Sequence, residues 1–120
     1  KLLKVMRDEM KPNYLAESKN QDIILSICMD MAMSLGPDAF INQSMALQER
    51  ADQQSTIQSI TIPVLIVCGS EDKLCTVERH ELMHNMICNS ELIIINNAGH
   101  MPTLEQPNET TEVLKKWLMN

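Results

Sequence analysis

Apolar positions follow two different rhythms along this chain, and the change falls near residue 60. In the first half they recur every three or four residues, the spacing of one helix face. Leu2, Leu3, Val5, Met6 and Met10 predict a first helix, stopped at Lys11-Pro12-Asn13. Ile23, Ile24, Ile27, Cys28, Met31 and Leu35 predict a second that ends at Gly36-Pro37. Asp38 is placed to cap a third, with Phe40, Ile41, Met45 and Leu47 as its apolar positions. No strand signal occurs in residues 1–53.

Beyond residue 60 the apolar residues run together. Ile60 and Ile62 lead into Val64-Leu65-Ile66-Val67-Cys68, mostly β-branched, with Pro63 at the strand start where a missing N–H is tolerated. A second run, Leu92-Ile93-Ile94-Ile95, follows a helix predicted from Thr76 to about Met86 with Leu82, Met83 and Met86 inward. A last helix is predicted from Pro107, with Gln106 or Asn108 near its cap and Val113, Leu114, Trp117 and Leu118 inward. Strands apolar on both faces read as members of a parallel sheet sandwiched between layers. The prediction is α/β: one βαβα unit preceded by an all-helical segment. Two such strands need neighbours, and the chain offers no third. They are expected either to pair with another chain or to belong to a longer protein, and a first residue Lys1 rather than Met fits a processed product or a piece of a longer chain.

Composition narrows the function more than the fold. The 120 residues suit one small domain, and 44% hydrophobic with 22% charged is ordinary for a globular protein. Tyr14, Phe40 and Trp117 are the whole aromatic set, which argues against a stacking platform for nucleic acid. The net charge of −6, with ten scattered basic residues, argues against a phosphate-tracking face. No apolar run reaches the roughly 20 residues that span a bilayer, and the N-terminus has no signal-peptide pattern. Cys28 and Cys68 fall inside apolar patterns where a thiol packs as a small hydrophobe. The four cysteines are therefore read as reduced and the protein as cytoplasmic, with neither nucleic acid nor membrane as a partner.

The first apolar run breaks at Gly69 and the second at Asn96-Asn97-Ala98-Gly99, and each delivers one group of chemical interest. Gly69-Ser70-Glu71 precedes Asp72, and Asn96-Asn97-Ala98-Gly99 precedes His100. Taken alone, Asp72 serves equally as a turn or helix-capping residue, and His100 as a surface or packing residue. At the same end of adjacent strands they reinforce one another. An aspartate bonded to one imidazole nitrogen fixes the tautomer and stabilises the cation formed when the other nitrogen takes a proton. His80, His84, Cys88 and Cys75 have a partial zinc spacing, but solvent-facing histidines and a helix-end thiol explain them more simply. Met29, Met31 and Met33 read as helix core, with the lining of an apolar pocket as the alternative.

The stretch from Ile62 through Gly69-Ser70-Glu71-Asp72 resembles the acid-bearing strand and loop of the α/β-hydrolase family. Gly99-His100-Met101-Pro102-Thr103-Leu104-Glu105-Gln106-Pro107 resembles its histidine loop, where G-H-x-x-x-x-E-x-P is common. The likeness is strong over about residues 60–119. It is weaker over Gly36-Pro37-Asp38-Ala39-Phe40 and Gln43…Leu47…Arg50…Asp52, which resemble the helical lid of a bacterial subgroup. The resemblance implies a lid (cap) over residues 1–55 and the C-terminal part of the hydrolase core over 56–120. It implies Asp72 as triad acid and His100 as general base, with no metal or organic cofactor. The substrate implied is a small-molecule ester, lactone or amide. It supplies no nucleophile: Gly36, Gly69 and Gly99 are the only glycines, none forms G-x-S-x-G, and Ser70 lies inside the acid loop. The 120 residues alone are expected to be inert. The competing reading is a non-catalytic interaction module that completes its sheet with another chain or a second copy of itself.

Overall fold

The computed structural model describes residues 2–10 and 13–120. Helix α1 (Leu2–Val5) continues as a wider π turn over Met6–Met10, in which Met6 is buried and Leu3 exposed. The predicted stop at Lys11 and Pro12, the first residue Lys1, and the side chains of Leu2 and Met10 lie outside the described residues. Helix α2 (Gln21–Gln48) breaks at Gly36, whose φ of 79° and ψ of 176° are non-helical. Pro37 starts the second piece, so Gly36, not Asp38, takes the place before its first turn. By length and composition α2 would reach across a bilayer. The break divides it into 21–35 and 37–48, each short of the roughly 20 residues a straight span requires.

A short helix, α3 (Gln54–Gln58), follows where no element was predicted. Then come strand β1 (Val64–Gly69), helix α4 (Val77–Met86), strand β2 (Ser90–Ile95), a single turn α5 (Pro102–Glu105) and helix α6 (Pro107–Met119). Among the described residues these are the two strands. They pair in parallel from Val64↔Ser90 to Gly69↔Ile95, so both carboxyl ends stop at one level. Ile66, Cys68, Ile87, Ile95 and Ala98 make the buried centre of this half. A fully buried aliphatic side chain such as Ile95 contributes roughly 1.5–3 kcal/mol.

The buried cluster that joins the helical and α/β halves lies where α2 begins, and α3 packs on α4 farther along. Leu15, Ile24 and Cys28 are buried together, with Tyr14, Leu25, Met101 and Leu104 packed around them. Within α2 only Ile24 and Cys28, in its first turns, are buried. Ile23, Ile27, Met31, Leu35, Ile41, Met45 and Leu47 are exposed, contrary to the inward face predicted for α2. The same difference recurs in the α/β half. Leu82, Leu114 and Leu118 are exposed, and so are Glu91 and Ile94 on β2, where a strand covered on both faces was predicted. Helical spacing identifies the apolar stripe, but how much of it is covered depends on what lies opposite. Here α6 presents Val113 and Trp117 to Leu65 and Ile93, leaving Leu114 and Leu118 beyond the strands.

Gly69 is where the two strand ends come closest. A Cβ there would run into the carbonyl oxygens of Ala98 and Gly99, both main-chain groups that cannot rotate away. Gly69→Ala is expected to cost at least about 3 kcal/mol in urea unfolding. Gly36→Ala, which meets open space but an unfavourable dihedral, should cost about 1–3 kcal/mol. A Gly69→Ala variant as stable as the parent would show that the strand ends are not held at this separation.

Candidate active site

Past β1 the chain keeps its pairing with the end of β2. The Ser70 amide donates to the Ile95 carbonyl at 2.9 Å and the Glu71 amide to that of Ala98 at 2.9 Å. Ser70 Oγ accepts the Asn97 amide at 3.1 Å, where Asn97 turns the chain with a φ of 53°. The serine thus ties the two loops together. Asp72 follows, and its two oxygens divide the roles that the sequence left as alternatives. Oδ1 accepts the Leu74 and Cys75 amides, both at 2.9 Å, forming an Asx-type turn before α4. Oδ2 lies 2.9 Å from His100 Nδ1.

The Asp72 side chain is 5% exposed and that of His100 36%. Burial pushes the Asp72 carboxyl up. Hydrogen bonds from the Cys75 amide, the His100 ring and the Leu74 amide outweigh that and hold it below the ordinary aspartate range. With a carboxylate at Nδ1, the neutral ring carries its proton there and keeps Nε2 as the lone-pair nitrogen, the tautomer a general base needs.

The His100 loop is held from below. Its amide donates to the Tyr14 carbonyl at 2.7 Å, and the Tyr14 and His100 ring centroids are 6.2 Å apart. Glu105, buried at the end of α5, accepts four amide bonds. Ala16 (2.7 Å) and Gly99 (3.0 Å) bond Oε1, while Gly99 (2.9 Å) and Met101 (3.0 Å) bond Oε2. Thr110 Oγ1 donates to the Pro102 carbonyl at 3.0 Å and Gln106 Nε2 to that of Asn97 at 3.1 Å, tying α6 to the same loop. Sequence reasoning gave Tyr14 and Glu105 no such part. A glutamate just after a proline-started turn is a helix-start signal that finds the Met101 bond. Nothing local finds the bond to Ala16, 89 residues away.

The partial zinc spacing separates in three dimensions. His80 Nδ1 lies 2.9 Å from the Thr76 carbonyl, His84 Nδ1 lies 2.8 Å from Ser90 Oγ, and Cys88 Sγ faces the Ile60 carbonyl. Among the described residues no three such groups converge. A cavity of about 200 Å³ in the helical half is bordered by Met6, Tyr14, Leu35, Phe40 and Leu47, and Met29, Met31 and Met33 are not part of its lining.

The pH dependence of stability follows from Asp72. Its folded pKa lies below its unfolded value, so its contribution is present above the unfolded range, about pH 4. That contribution is lost as pH falls through the folded value. Asp72→Asn is expected to flatten the acid limb of stability against pH below about 4, read by urea unfolding at successive pH values. An unchanged acid limb would show that Asp72 is not the group responsible.

No protein-family model matches the sequence. The chain is 32% identical over 82 residues to a pimeloyl-[acyl-carrier protein] methyl ester esterase of Neisseria meningitidis serogroup B, a match covering 68% of this chain and 31% of the relative. It is 39% identical over 59 residues to a proline iminopeptidase of Lactobacillus crispatus, covering 49% and 20%. Its fold superposes on a thermophilic esterase from Thermogutta terrifontis with a TM-score of 0.87 and 27% identity, over 97% of this chain and 46% of that one. The chain thus spans a fifth to a third of the length of these curated relatives and just under half of the solved esterase. Parallel strands with helices between and after them, superposing almost end to end on an esterase and related in sequence to curated hydrolases, show that the chain belongs to the α/β-hydrolase fold family as a C-terminal portion of that fold.

Proposed function

We propose that Asp72 and His100 are the acid and base of a Ser-Asp-His triad that hydrolyses an ester, lactone or amide bond in a small molecule. The observation carrying this reading is the 2.9 Å contact between Asp72 Oδ2 and His100 Nδ1 at the carboxyl ends of adjacent parallel strands. The serine comes from outside these 120 residues, which contain no G-x-S-x-G. Nε2 of His100 takes the serine proton as Oγ bonds to the substrate carbonyl carbon, while Asp72 stabilises the imidazolium through Nδ1–H. The same proton passes to the leaving oxygen or nitrogen as its bond to the carbonyl carbon breaks. Water then gives a proton to Nε2 and displaces the acyl group, returning the serine and releasing the acid. This chemistry uses no metal or organic cofactor.

The helical segment, residues 1–55, is the lid in this reading, and its cavity is where the apolar part of the substrate sits. Support comes from Tyr14, which borders the cavity and whose carbonyl accepts the His100 amide. About 200 Å³ suits a short acyl group rather than a long lipid chain.

The test is turnover of activated esters and lactones by the polypeptide that includes the nucleophile, with the 120-residue chain as control. Asp72→Asn is expected to lower kcat by about 10⁴, His100→Ala by about 10⁶, and the 120-residue chain to show no turnover. Turnover that survives in His100→Ala would overturn the assignment. For the cavity, Phe40→Trp should lower kcat/KM about tenfold for the longest accepted acyl group and leave acetyl esters nearly unchanged. An equal loss along the acyl series would place the substrate elsewhere.

A further inference from the structure

Glu105 makes more bonds than its place in the fold requires. A side chain reaching back to the first amide of a helical turn needs one bond, here the one from Met101. The other three go elsewhere: two to Gly99 and one to Ala16, at the entrance to α2. The amides on either side of His100 are therefore held by one carboxylate. The amide between them, that of His100, is held by the carbonyl of Tyr14, two residues from Ala16. The approach at this point is tight. A Cβ on Gly99 would lie 2.7 Å from the Tyr14 oxygen and 2.9 Å from the Ala16 nitrogen. Residues 99–101 are thus fixed at three successive amides, and residues 14–16 are fixed by the same atoms.

Only a carboxylate fits this role. Three N–H groups converge on two oxygens, that of Gly99 shared between both, and charge-assisted bonds of this kind are roughly twice as strong as neutral ones. The near-isosteric amide of glutamine would present one NH2 to an amide donor, leaving buried N–H groups unpaired. Asp72 lies on the other loop and cannot by itself set the direction of the His100 ring. A rotation of the 99–101 backbone would swing Nδ1 away from Oδ2, whatever Asp72 does.

We propose that Glu105 is the positioning residue of His100. By binding the amides on both sides of His100 and that of Ala16, it aims the imidazole at Asp72 and makes that aim depend on docking of residues 14–16. The proposal rests on the reading of Asp72 and His100 as a catalytic dyad, but its test needs no nucleophile. Ring ¹⁵N shifts of His100 report the tautomer directly. In the parent the neutral ring is expected to be almost wholly Nδ1–H. In Glu105→Gln, with helix content by circular dichroism unchanged, the ring is expected to become a mixture of tautomers. Glu105→Asp, which keeps the charge but shortens the reach, should fall between the two.

A folded Glu105→Gln protein with the parent tautomer would overturn the proposal, leaving Glu105 a purely stabilising group. Asp72→Asn separates the two readings. If it shifts the tautomer and Glu105→Gln does not, only the role of Glu105 fails. If Asp72→Asn shifts nothing, the dyad fails and the proposal with it. Should Glu105→Gln not fold, amide hydrogen exchange in the parent decides. Ala16, Gly99 and Met101 exchanging through one opening of common free energy would uphold the clamp, and independent exchange would overturn it.

Discussion

Parallel pairing of two short strands in one register places everything that follows. Because Gly69 and Ile95 are partners, the loops that leave them start at the same level. Because Gly69 has no side chain, the Ala98 and Gly99 carbonyls can pass directly over it. The bonds from Ser70 to Ile95, from Glu71 to Ala98 and from Asn97 to Ser70 then extend the pairing beyond the sheet. The separation between Asp72 and His100 is in this sense a backbone quantity. It is set before either side chain chooses a rotamer, and buried main-chain groups leave it little freedom.

The two carboxylates beneath this arrangement are handled in different ways. Asp72 is shared between an Asx turn and an imidazole, one oxygen to each, so the group that shapes the loop also faces the histidine. Among the described residues Glu105 bonds backbone amides alone and spreads its charge over their dipoles. Among the described residues neither pairs with a lysine or arginine. The burial of Asp72 opposes its ionisation, and two amides and a ring nitrogen reverse the balance. Local hydrogen bonds decide the charge state here more than the net charge of the chain does.

Much apolar surface remains uncovered on the helices. Leu35 is 63% exposed and Leu118 73%. The chain matches just under half the length of the solved esterase. The buried contact between the halves is narrow. Leu15, Ile24 and Cys28 supply its buried core, and the Glu105–Ala16 bond supplies its polar anchor.

The sequence by itself determined the element types and the chemistry at their ends. Helical spacing marked α2 with its break at Gly36-Pro37, as well as α4 and α6, while the apolar runs marked β1 and β2. The strand ends, with a glycine in each following turn or at its start, pointed to Asp72 and His100. These features are legible because they depend on neighbours within a turn or a strand. Tertiary structure alone decided which side of each stripe is covered, as Leu82, Leu114 and Leu118 illustrate, and that residues 54–58 coil into α3. It alone joined Tyr14 to the histidine loop through the His100 amide, and Ala16 through Glu105. Those outcomes rest on contacts between residues far apart in the chain. A periodic pattern can state that a face is apolar, but not what will lie against it.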